Sequence, residues 1–148
     1  MSDKLLLNAT SAGNPRAAGR SLRVLVADDD RDSVLTLMML LREEGHEVRG
    51  VHNGHQVLKA VNEFGPHAVI LDIAMPELTG WEAARKLNDR PGRRPLLIGI
   101  SGQYKSVPDR ILSEIIGFDH YLVKPYAPDA LLALLAPLRL PQNDEAAG

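Results

Sequence analysis

Four apolar runs in this chain each end in a residue able to handle a cation or a phosphoryl group. Asp72 closes AVILD, and Met75-Pro76 follows close behind. Asp28, Asp29 and Asp30 follow SLRVLVA, Ser101 follows LLIGI, and Lys124 follows DHYLV. Taken singly, each has a bland reading: an Asp pair is usually a helix-capping turn, Ser-Gly a turn, Lys-Pro a strand end. Brought together they describe a site. Three carboxylates close to one another repel, so the arrangement asks for a cation. A hard ion held by a few carboxylates, with water and phosphate completing its shell, is Mg²⁺. Lys124 is a point charge suited to a phosphoryl oxygen or to Asp72 itself. Ser101 offers a hydroxyl to an oxygen present only when the site is loaded. A carboxylate nucleophile, a divalent metal and a lysine are the parts of acyl-phosphate chemistry.

These residues meet only if the elements that carry them converge. The apolar runs are short and β-branched, as in strands buried on both faces of a parallel sheet. Strands are expected at Ser21 to Ala27, His46 to Val51, the segment ending at Asp72, Leu96 to Ile100, and Asp119 to Val123. The second is more polar and belongs nearer a sheet edge. Helices are expected between them. The first, VLTLMMLLREE, is capped by Asp32 or Ser33 and stopped by Gly45. Its core face is Val34, Leu37, Met38 and Leu41, with Leu35 and Met39 read as extra core in preference to a partner-binding stripe. Gly54 to Phe64 is the second helix and Gly80 to Asp89 the third, with Trp81, Ala84 and Leu87 inward. A fourth falls within Lys105 to Gly117, and the last runs from Asp129 to Leu138. The basic turn RPGRRP, ending at Pro95, reads as a solvated loop in preference to an anion patch. Strands alternating with helices at this spacing give right-handed βαβ crossovers and an all-parallel sheet. The expected fold class is α/β: a flavodoxin-like (βα)5 doubly wound sandwich on a five-stranded parallel sheet. Ligands then gather at the carboxyl ends of the strands, where all these residues lie.

Composition agrees. The chain has 148 residues, 45% of them hydrophobic, enough for one domain with a real core. Residues 1–21 read as a flexible leader, 22–140 as the domain and 141–148 as a polar tail. A net charge of −2 gives no reason to expect nucleic-acid or membrane binding through bulk charge. No apolar run approaches the length of a membrane span, and the start lacks a secretory signal. The absence of cysteine suits a reducing compartment, so a cytoplasmic location is expected. His52 and His55 are too few ligands for a structural metal site. His46, His67 and His120 sit at strand starts, on the edge opposite Asp72.

VLVADDD, VILDIAMPELTG, the ISG turn and YLVKPY together resemble the response-regulator receiver domain of two-component signalling. The resemblance spans about Leu22 to Leu138. It implies that Asp72 accepts a phosphoryl group from a phosphohistidine. It implies Mg²⁺ held by Asp28, Asp29 and Asp72 with the backbone carbonyl of Ala74. It also implies that Lys124 neutralises the phosphoryl group and that Ser101 swings toward it. Tyr121 matches the aromatic switch that turns inward as that hydroxyl moves, and Pro125 matches a cis proline. The sequence departs from the family at Thr79, where Asp is usual, and at Ser101, where Thr is commoner. Ala74 lacks a side chain able to hold a water, so Ala74 and Gln103 are expected to help set the phosphate's lifetime.

The expected function is a stand-alone receiver that catalyses its own phosphoryl uptake and loss without a separate substrate. Its partners are a histidine kinase or histidine phosphotransfer protein upstream, and a downstream protein or a second copy. The switched face comprises the fourth helix, fifth strand and fifth helix. The alternatives are a phosphate shuttle or sink in a phosphorelay and a phosphorylation-independent interaction module. An aspartyl-phosphate phosphatase would want a second Asp at position 74, which is Ala74. A flavin- or nucleotide-binding module would want a phosphate-cradling loop after the first strand, where three acids stand instead.

Overall fold

The computed structural model describes residues 19–73, 75, 80–92, 94–102 and 117–140, with the backbone alone for Gly80 and Trp81. Within them the chain runs β1 (Arg23–Ala27), α1 (Arg31–Glu43), β2 (Glu47–Val51), α2 (Gly54–Phe64), β3 (Ala68–Asp72), α3 (Gly80–Asn88), β4 (Leu96–Ser101), β5 (His120–Val123) and α4 (Pro128–Arg139). The strands form one sheet in the order β2-β1-β3-β4-β5, and every pairing is parallel. This is the expected flavodoxin-like α/β architecture, with the polar strand β2 at an edge. The helix expected within Lys105 to Gly117 lies outside the described residues.

Strand alternation divides the core in two. Leu25, Ala27, Val69, Leu71 and Leu97 point to one face and pack with Val57, Val61, Ala84 and Leu87 of α2 and α3. Val24, Val26, Ile70, Ile98 and Ile100 point to the other and pack with Val34 and Leu41 of α1 and Leu131 and Leu135 of α4. All five residues of β3 are buried, as a central parallel strand requires.

The start of α1 differs from expectation. Asp30, not Asp32 or Ser33, is the cap: its carboxylate accepts from the Asp32 N–H at 3.1 Å, and the Ser33 hydroxyl donates to it at 2.8 Å. That frees the turn before it for other work. Leu35 and Met39 are 58% and 62% exposed, so they are not extra core. The helix is fixed in rotation by Gly50 of β2, where an added Cβ would lie 2.5 Å from Val34 Cγ1 and 2.8 Å from Met38 Sδ. With that side seated, a residue one position beyond Val34 or Met38 turns outward.

Candidate functional site

Register brings the chemistry to one sheet edge. Ala27 pairs with Leu71, so the next step places Asp28 beside Asp72, and Ser101 pairs with Val123 just before Lys124. Alternation then sorts the side chains. Asp28, Asp72 and Lys124 follow the parity of Val26, Ile70 and Leu122 and face the α1/α4 side. Ser101 and Tyr121 follow Leu97 and Gly99 and face the α2/α3 side.

Carboxylate oxygens of Asp28, Asp29 and Asp72 all lie within 4.8 Å of one another. Asp28 is 7% exposed and Asp72 9%, while Asp29 is open to solvent. Asp28 is held by its surroundings: Oδ1 accepts from the Asp30 N–H at 2.9 Å, and its own N–H donates to the Val51 carbonyl at 3.2 Å. Lys124 Nζ donates to Asp28 Oδ2 at 2.9 Å. Partial burial pulls the Lys124 pKa down, but the Asp28 hydrogen bond and charge, with Asp72 behind, outweigh it, and the net direction is up. The lysine is therefore a firm cation, and in this state its partner is Asp28. Three acids this close, with Lys124 the one lysine beside them among the described residues, are a demand for more positive charge. Their hard oxygen donors suit Mg²⁺. A cavity of about 630 Å³ opens beside Asp28, Asp72 and Lys124 and runs between α1 and the Tyr126 segment.

On the opposite face, the Ser101 and Tyr121 hydroxyls share a hydrogen bond of 2.8 Å. Ser101 is 0% exposed, and the Tyr121 ring packs against the α2/α3 core. The tyrosine already lies inward here, with the serine hydroxyl turned to it. The Lys124-Pro125 peptide is cis, as the motif implied.

The comparisons agree with this geometry. Residues 24–136 match the family model of the response regulator receiver domain. The chain belongs to the response regulator receiver family. Among similar curated proteins, response regulator MprA of Mycobacterium ulcerans is 37% identical over 131 residues, covering 86% of this chain and 55% of the relative. Transcriptional regulatory protein TrcR of Mycobacterium tuberculosis is 32% identical, covering 81% of this chain and 46% of the relative. The receiver thus spans about half the length of these curated relatives. Among solved structures, the signal receiver domain of a response regulator from Bermanella marisrubri aligns with TM-score 0.71 at 31% identity, covering 78% of this chain and 96% of that one. A CheY-like receiver domain protein from Methanospirillum hungatei aligns with TM-score 0.73 at 27% identity, covering 86% and 99%.

The structure of the receiver therefore gathers Asp28, Asp29, Asp72 and Lys124 into one site and pairs Ser101 with Tyr121. Ala74 and Gln103 lie outside the described residues. The sequence reading missed His52, whose Nδ1 lies 3.2 Å from the Asp28 carbonyl oxygen and braces the turn that carries the acids. The signal was its place, directly after the strand that pairs with β1. No helix among the described residues is long and apolar enough to cross a membrane.

Proposed function

We propose that this receiver takes a phosphoryl group onto Asp72 from a phosphohistidine of a kinase or phosphotransfer protein, in a Mg²⁺-dependent reaction in the cytoplasm. The observation that carries the reading is the cluster of three carboxylates within 4.8 Å at the sheet edge, with Lys124 reaching into it. Asp28, Asp29 and Asp72, with the backbone carbonyl of Ala74, would hold the metal, which when bound neutralises phosphoryl oxygens.

The chain's own residues do the rest. An Asp72 oxygen forms a bond to phosphorus as the donor's N–P bond breaks, and the histidine nitrogen keeps the bonding pair. Lys124 leaves Asp28 for a phosphoryl oxygen, a charge-for-charge exchange that needs no change in its protonation. Ser101 has further to go, because its hydroxyl begins on the opposite face, bonded to Tyr121. Turning it to the phosphoryl group breaks that bond and releases the Tyr121 hydroxyl. A two-state element biased by local charge results. Its readout surface includes β5 and α4, and a downstream protein or a second copy of the chain reads it. Phosphoryl uptake from acetyl phosphate, with and without Mg²⁺, tests the proposal. A Mg²⁺-dependent adduct supports it, and well-folded protein that takes up no phosphoryl group and binds no Mg²⁺ refutes it.

A further inference from the structure

At the opposite edge of the sheet, where the strands begin, a cavity of about 660 Å³ is lined by Arg20, Arg23, Arg90 and Arg94, with Asp119 its one carboxylate among the described residues. Its volume is that of a small-molecule pocket, and Val61 and Leu96 supply an apolar part of its wall. The bland role of such arginines is to cap helix carboxyl ends. Arg20 Nε donates to the Leu138 carbonyl at 2.8 Å, and Arg23 Nε donates to the Phe64 and Gly65 carbonyls at 3.1 and 2.9 Å.

Capping leaves capacity over. For Arg23 it uses Nε alone, so both terminal nitrogens have no partner among the described residues. The Arg90 guanidinium has none there either, and it is exposed. Arg94 is committed: its two terminal nitrogens fork onto the Asp119 carboxylate at 3.0 Å each, and Asp119 also accepts from the Leu97 N–H. Arg23 and Arg90 therefore keep guanidinium donors beyond the fork in which Arg94 and Asp119 neutralise each other, and that fork also fixes the wall. Planar guanidinium groups with unused donors are suited to phosphate oxygens, which they bind two at a time.

We propose that this cavity binds a small organic anion bearing phosphate groups, at a site separate from the Asp72 cluster. The excess of positive charge favours a multiply charged ligand over a monocarboxylate, and the concave, partly apolar wall favours a small molecule over a flat partner surface. The site stands apart from the phosphorylation chemistry and does not depend on it.

Calorimetric titration of the full chain with pyrophosphate in metal-free buffer tests the proposal, with citrate as the polycarboxylate comparison. Saturable one-to-one pyrophosphate binding, tighter than citrate, is expected. Arg90→Gln, on an exposed side chain, should weaken it about tenfold, as loss of a charged hydrogen bond does. Arg23→Lys should weaken it as well, with thermal melts confirming that both variants fold. Lys124→Ala should leave it unchanged, and Arg90→Gln should still take up a phosphoryl group from acetyl phosphate. Absent binding, unaltered binding in both arginine variants, tighter binding of citrate, or loss of binding in Lys124→Ala would each overturn the assignment.

Discussion

The Ser101–Tyr121 hydrogen bond makes an asymmetric prediction. Tyr121→Phe removes the partner of a hydroxyl that is 0% exposed, leaving among the described residues only the Gly102 carbonyl at 3.5 Å, too long for a good bond. The cost is the net bond plus desolvation of a stranded buried hydroxyl, about 1–3 kcal/mol. Ser101→Ala takes the buried hydroxyl away, while the part-buried Tyr121 hydroxyl can turn to water, so its cost is about 1 kcal/mol or less. The double variant should be more stable than Tyr121→Phe alone. Urea denaturation of the four proteins closes the cycle. The same bond opposes the swing of Ser101 toward a phosphoryl group. Tyr121→Phe should therefore ease phosphorylation, raising the equilibrium extent with limiting acetyl phosphate about fivefold for 1 kcal/mol. Costs that add to within about 0.3 kcal/mol, or an unchanged phosphorylation extent, would refute the reasoning.

Three further outcomes follow from the same geometry. His46 Nδ1 accepts the Leu22 N–H at 3.1 Å, and burial, with the Arg139 charge, holds its pKa at about 4. The folded protein keeps this ring neutral while the unfolded chain protonates near pH 6.5, so stability should fall between pH 6.5 and pH 4, by roughly 3 kcal/mol from this group. Urea midpoints across that window should slope less for His46→Asn, and an identical slope would contradict the assignment. Lys124→Ala should cost about 1–2 kcal/mol, between surface and buried pairs, and millimolar Mg²⁺ should recover part of it in thermal melts. Failure of Mg²⁺ to do so would count against a cation site at the three acids. Gly50→Ala, whose Cβ would meet Val34 and Met38, should cost about 2 kcal/mol by overpacking without altering phosphoryl uptake, read by urea midpoint and uptake assay.

Much of the architecture was legible because periodicity states it directly. The buried run AVILD, the helix Gly54–Phe64 and the polar edge strand were all written in local pattern. So was the convergence of Asp28, Asp29, Asp72 and Lys124, since parallel strands share their carboxyl edge. Where several neighbouring residues suit one role, local pattern does not choose correctly. It offers Asp32 or Ser33 as the cap of the first helix, whereas the β1 register turns Asp28 inward and leaves Asp30 to cap. The helix VLTLMMLLREE is apolar on more than one stripe, and the distant Gly50 decides that Val34 and Met38 turn in while Leu35 and Met39 turn out. Lys124 had several acids within reach of its flexible stem, and packing gave it Asp28. The Arg94–Asp119 fork joins residues 25 apart with no local pattern to announce it. The basic turn is exposed at Arg90, Pro91, Gly92 and Arg94, as a solvated loop should be, and its pattern gave no sign that Arg90 and Arg94 also line a cavity.

Everything proposed for the sheet edge turns on Asp72 as the phosphoacceptor. The most direct measurement is borohydride trapping after acetyl phosphate and Mg²⁺ treatment, followed by peptide mapping, beside Asp72→Ala. A single reduced residue at position 72 is expected, absent without Mg²⁺ and absent in the variant. A modified residue elsewhere, or uptake that persists in Asp72→Ala, would contradict it.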